Sequence, residues 1–143
     1  MFYFEDFKVG DKFVTRGRTI TEADIVNFAA FSGDWYPLHV DSEYAANTIF
    51  GERIAHGMLV LSAASGLTPL HEWAIVAFYG MDKLRFLLPT KIGDTIHVEI
   101  EVKELKKKDF GGVIDFTQTI LNQRYEPVAR ADVKILIGFK QGS

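Results

Sequence analysis

The segment Phe31-Ser32-Gly33-Asp34-Trp35-Tyr36-Pro37-Leu38-His39-Val40-Asp41 sets a carboxylate and an imidazole on one short stretch of chain. Pro37 fixes its own φ and stiffens the loop between Asp34 and His39. Two titratable groups held this way can share a water molecule. One accepts its proton while the other orients it, as general acid–base catalysis requires. Trp35, Tyr36 and Leu38 are expected to bury Asp34 among apolar side chains. A purely structural reading also fits, with Asp34 in an Asx-turn after Gly33 and His39 packed under a helix.

A second chemical segment is Arg53-Ile54-Ala55-His56-Gly57-Met58, at the start of an apolar helix. A helix N-terminus offers unpaired N–H groups and the positive end of the dipole. Gly57 has no Cβ, so a ligand oxygen can approach its backbone, as in an oxyanion hole for an enolate or thioester carbonyl. Close packing of helix on sheet would require the same glycine.

His39 and His56 stand in no recognised zinc spacing, His71 reads as a helix-end residue, and His97 lies on the wet face of a strand. No metal site is expected. The absence of Cys removes thiolate ligands, Cys nucleophiles and disulfides, and no phosphate-binding or dinucleotide Gly-rich motif is present.

The elements that must position these residues follow from periodicity. Lys12 to Ile20 reads as a first strand after the turn Val9-Gly10-Asp11. Thr21 is a helix N-cap with Glu22 and Asp24 in the first turn; Ile25, Phe28 and Ala29 share a face, and Gly33 is the left-handed C-cap. Asp41 or Ser42 caps a short helix through Tyr44-Ala45-Ala46, and a loop runs from Thr48 to Ala55. His56 to about Leu70 is a helix apolar on nearly every face, which predicts burial. Ala74 to Tyr79 and Leu84-Phe86-Leu88 are strand-like, ending at Pro89. Ile96-Val98-Ile100-Val102, then Ile114-Phe116-Ile120, then Ala131-Val133-Ile135-Ile137-Phe139 each mark one apolar face of a strand. The pattern predicts an α+β fold in which an antiparallel sheet with one wet face wraps a helix.

With 143 residues, 48% hydrophobic, no repeat and no linker, the chain reads as one domain over 1–143. Sixteen Lys and Arg against 19 Asp and Glu give a net charge of −3, which excludes a dominantly basic nucleic-acid binder. The apolar run Met58 to Leu70 is interrupted by Ser62, Ser65, Gly66, Thr68 and Pro69 and falls short of the ~20 residues a membrane helix needs. With acid in Met1-Phe2-Tyr3-Phe4-Glu5-Asp6 where a signal peptide carries base, a cytoplasmic location is expected.

Together these segments resemble the MaoC-like dehydratase family, which includes (R)-specific enoyl-CoA hydratases. The family pattern Gly-Asp-x-Asn-Pro-Leu-His stands here as Gly33-Asp34-Trp35-Tyr36-Pro37-Leu38-His39, followed by Asp41 and by His56-Gly57-Met58. Ser65-Gly66-Leu67, Phe86-Leu87-Leu88-Pro89 and Gly93-Asp94 follow in the family order. The resemblance implies a hot dog fold, a curved antiparallel sheet around one long buried helix. It implies that Asp34 and His39 activate water for addition to a 2-enoyl thioester, and that the Gly57 N–H polarises its carbonyl. The family Asn before Pro is Tyr36 here, which puts an aromatic wall on the acyl pocket. Trp35, Tyr36, His56 and Ser65 are the substrate-binding candidates, although a small helix residue facing the sheet explains Ser65 equally well.

The resemblance implies no redox or metal cofactor; coenzyme A enters only as part of the substrate. Its phosphates are expected to meet some of Arg53, Lys83, Arg85, Lys91 and Lys106-Lys107-Lys108, though each also reads as solvated surface. An acyl-CoA thioesterase on the same fold and a non-catalytic acyl-CoA binder are the rival readings. One such domain leaves a sheet edge exposed and a helix half covered, so a homodimer is expected, and the resemblance implies that the site lies at its interface.

Overall fold

A computed structural model describes residues 1–141. Two short strands, β1 (Lys12–Val14) and β2 (Arg18–Thr19), precede helix α1 (Glu22–Ser32). Two one-turn helices follow, α2 (Pro37–Val40) and α3 (Ser42–Ala46), and then the central helix α4 (Gly57–Leu67). Four long strands complete the chain: β3 (Ile75–Phe86), β4 (Thr95–Lys108), β5 (Gly111–Leu121) and β6 (Pro127–Ile137). The order β1-β4-β5-β6-β3 is antiparallel throughout, and β2 pairs separately with β4.

The period-two faces read from the sequence are the faces that meet α4. Ile96, Val98, Ile100 and Val102 of β4 are buried, as are Ile114, Phe116 and Ile120 of β5 and Ala131, Val133, Ile135 and Ile137 of β6. Against them α4 lays Leu59, Val60, Ala63, Ala64 and Leu67. The opposite side of α4, with Met58, Ser62, Ser65 and Gly66, is open to solvent in the single chain. The helix is therefore buried along one face rather than all round. It also stops at Leu67, because Thr68 and Pro69 turn the chain into the single 3-10 turn Leu70–Glu72.

Two other elements depart from expectation. The strand foreseen over Lys12 to Ile20 is split. The Thr15 hydroxyl takes the Val98 N–H at 2.9 Å, replacing a ladder bond and separating β1 from β2. The two apolar runs after Trp73 form one continuous edge strand, β3, whose register against β6 shifts three times. Its Val76, Phe78, Tyr79 and Phe86 are each at least half exposed.

Candidate active site

The Asp34–His39 segment is set by local chemistry at the end of α1. Thr21 caps that helix, its hydroxyl accepting the Asp24 N–H at 3.2 Å while the Asp24 carboxylate accepts the Thr21 N–H at 2.9 Å. Gly33 closes it at φ 78°, its N–H donating to the Ala29 carbonyl at 2.8 Å. The Ser32 hydroxyl donates to the Phe28 carbonyl at 2.7 Å and accepts the Asp34 N–H at 3.1 Å. One carboxylate oxygen of Asp34 accepts the Tyr36 N–H at 3.2 Å. Asp34 thus does form an Asx-turn. The turn spends one oxygen and aims the carboxylate; the other oxygen has no bond among the described residues.

Pro37 is the first residue of α2, so the stretch foreseen as a loop is a helical turn from Pro37 to Val40. This turn carries His39, whose Nδ1–H donates to the Ile54 carbonyl at 2.8 Å. A carbonyl can only accept, so in the neutral imidazole Nδ1 holds the proton and Nε2 presents its lone pair. Arg53 braces the turn from behind: Nε donates to the His39 carbonyl at 2.8 Å and Nη1 to Glu22 at 2.6 Å. Burial is the strongest influence on His39 and lowers its pKa; the Ile54 carbonyl opposes it, the cationic form of His56 adds to it, and Asp34 opposes it. The net shift is downward, which keeps His39 neutral and able to accept a proton.

His56 joins this pair, a link that no spacing in the sequence indicates. It is 2% exposed, and its ring stacks on His39 with centroids 3.9 Å apart at 26°. Its Nε2–H donates to the Asp34 backbone carbonyl at 2.9 Å, while Nδ1 is buried without a partner. His56 therefore holds the Asp34–His39 turn from behind. One donor atom from each of Asp34, His39 and His56 lies within 4.8 Å of the others. Sequence spacing alone could not foresee this cluster. The two rings are stacked, so their in-plane lone pairs run side by side rather than converging as zinc ligands do at about 2.0–2.1 Å.

Gly57 follows His56 as the first residue of α4, where helix N–H groups have no intrahelical acceptor. A Cβ here would sit 2.7 Å from the tip of the Phe86 ring, so any larger residue would have to push that ring aside. The cleft at this helix start encloses about 410 Å³ and is lined by Gly57, Met58, Phe50, Phe86 and Leu88.

The remaining candidates lie further out. Trp35 and Tyr36 are about half exposed, and Asp34 is exposed as well, so the aromatic neighbours do not bury it within one chain. They project outward from the turn instead of folding over it. Tyr36 lies edge-on to His39 with centroids 6.3 Å apart, and its hydroxyl meets that of Tyr44 at 3.2 Å. Ser65 faces a second groove along α4, with its hydroxyl donating to the Ser62 carbonyl at 2.7 Å. Among the basic residues expected to meet phosphate, Arg53 is committed to the His39 turn and Lys91 pairs with Glu52 at 3.4 Å.

One helix wrapped by a curved antiparallel sheet is the arrangement of a hot dog fold. A protein from Mycobacterium tuberculosis with a double hotdog fold superposes with TM-score 0.88 at 23% identity, covering 99% of this chain and 45% of that one. The MaoC like domain family matches residues 6–124, and the chain belongs to that family. Protein MaoC of Klebsiella aerogenes is 50% identical over 71% of this chain, and an (R)-specific enoyl-CoA hydratase of Rhodospirillum rubrum is 40% identical over 72%. The match spans 30% of the Klebsiella protein and 71% of the hydratase. A monoamine oxidase regulatory protein from Archaeoglobus fulgius superposes with TM-score 0.91 at 40% identity, covering 97% of this chain and 95% of that one. No helix among the described residues is long and apolar enough to cross a membrane.

Proposed function

We propose that this chain reversibly hydrates a 2-enoyl-CoA to an (R)-3-hydroxyacyl-CoA. The observation that carries the reading is the proximity of the Asp34 carboxylate, within 4.8 Å, to an imidazole whose tautomer is preset, the Ile54 carbonyl holding Nδ1–H so that Nε2 keeps its lone pair. The (R)-specific enoyl-CoA hydratase similarity supports it.

In this mechanism the free Asp34 oxygen orients a water and His39 Nε2 takes its proton as the oxygen bonds to C3 of the enoyl chain. The thioester carbonyl accepts the displaced electron pair as an enolate, which the Gly57 N–H and the α4 dipole stabilise. The imidazolium returns the proton to C2, so no proton is gained or lost overall. Neither a metal nor a redox cofactor takes part in these steps.

The exposed apolar edge of β3 and the uncovered side of α4 support a homodimer that closes the site, since an unpaired edge with Val76 and Tyr79 exposed invites pairing. Tyr79→Lys is expected to give a monomer by sedimentation.

The experiment for the activity follows loss of the conjugated enoyl-thioester absorbance with crotonyl-CoA, with a thiol trap run in parallel. Absorbance loss without free thiol is the expected result. Thiol release at the same rate would instead make the chain a thioesterase, and no change in either would end the enzymatic reading.

A further inference from the structure

The helix-facing side of β5 carries one polar residue in an apolar row. Ile114, Phe116 and Ile120 are buried there, and between them stands Gln118, only 8% exposed. Its side-chain amide has no hydrogen-bond partner among the described residues. It lines a groove of about 80 Å³ together with Leu61, Ser65, Thr68, Phe78 and Met81. By the ~10–15 Å³ that one water-sized group needs, the groove has room for about five to eight such groups.

The groove runs along α4, the helix that Gly57 begins. Gly57, Leu61, Ser65 and Thr68 follow helical spacing along one face of α4, and Ser65 lies about 12 Å along the axis from Gly57 at ~1.5 Å per residue. The Ser65 and Thr68 hydroxyls already donate to the Ser62 and Ala64 carbonyls, so toward the groove they offer lone pairs. Gln118 adds both a donor and an acceptor. An apolar occupant would cover this amide without pairing it, which disfavours such an occupant.

We propose that the acyl chain of the substrate carries a distal hydroxyl or carbonyl oxygen, and that Gln118 is the residue that recognises it. This rests on the reading of the site as an acyl-CoA hydratase and narrows its substrate class. The oxygen hydrogen-bonds to the Gln118 amide, while Leu61, Phe78 and Met81 pack against the carbons that lead to it. Gln118 is then a specificity residue and takes no part in the proton transfers at Asp34 and His39.

The test is calorimetric and needs no turnover. Butanoyl-, hexanoyl- and octanoyl-CoA are compared with their ω-hydroxy counterparts on the wild type and on Gln118→Leu. At the best-fitting length the wild type is expected to bind the hydroxylated thioester about ten- to a hundredfold more tightly. Gln118→Leu is expected to lose or invert that preference. No preference at any length, a preference that survives Gln118→Leu, or no binding of either series would overturn the proposal. Binding with the predicted preference but without hydration would count against the hydratase reading alone.

Discussion

Replacing His56 with Phe separates positioning from stability. The new ring keeps the planar layer between Phe28, at a centroid distance of 4.9 Å, and His39, at 3.9 Å, but removes both nitrogens. Loss of the Nε2–H bond to the Asp34 carbonyl costs about 0.5–1.5 kcal/mol, plus whatever that carbonyl fails to regain from water. Removing Nδ1, buried without a partner, recovers about 1–3 kcal/mol. These effects nearly cancel, so the melting temperature should stay within about 4 °C of wild type. Activity should not stay. With its carbonyl released, Asp34 is free to shift, and a displacement near 1 Å costs on the order of a hundredfold in rate. Crotonyl-CoA hydration should fall about ten- to a hundredfold, and His56→Gln, which again offers a donor, should recover part of the loss. Loss of the His56 influence that helps depress the His39 pKa should also move the acid limb of the rate profile upward. Unchanged kcat, or kcat falling only in step with thermal stability, would refute the positioning role.

The depressed His39 pKa predicts an acid limb below the ordinary histidine value of about 6.5; a limb above that value would contradict it. For stability the same shift means that the unfolded chain protonates His39 first as pH falls. Its contribution is therefore complete above about pH 6.5 and is lost as pH drops through the folded pKa, so His39→Gln should flatten the pH dependence of melting there. Arg53→Met breaks the ties to Glu22 and the His39 carbonyl, and should lower kcat about tenfold with little change in affinity for free coenzyme A. A selective loss of coenzyme A binding would return Arg53 to the phosphate site. Prolonged chelation with EDTA should leave hydration unchanged, whereas a loss restored by zinc would make the Asp34–His39–His56 cluster a metal centre.

What the sequence discloses here is mostly local. Thr21, Asp24 and Gly33 act within one helix, so their types and spacing predict its ends. The alternation in β4 and β6 reports a sheet with one dry face because period two leaves no other way to bury those side chains. Asp34 and His39 are legible as a pair because they share one turn. The contribution of His56 was hidden, since its stacking on His39 depends on where α4 begins relative to α2. Arg53 looked like a phosphate contact because its partners, Glu22 and the His39 backbone, are distant in sequence. The break at Thr15 depends on a side-chain bond to β4 that no propensity encodes. Gln118 did carry a signal, a polar residue in register with Ile114, Phe116 and Ile120.

The central claim is that Asp34 and His39 act together on one water, and a double-mutant cycle tests it most directly. Hydration of crotonyl-CoA is measured for wild type, Asp34→Asn, His39→Gln and the double variant, with folding checked by circular dichroism. Each single change should lower kcat by about a thousandfold or more, and the double variant should be no slower than the slower single one. Losses that multiply, or a single variant that retains wild-type turnover, would contradict the account.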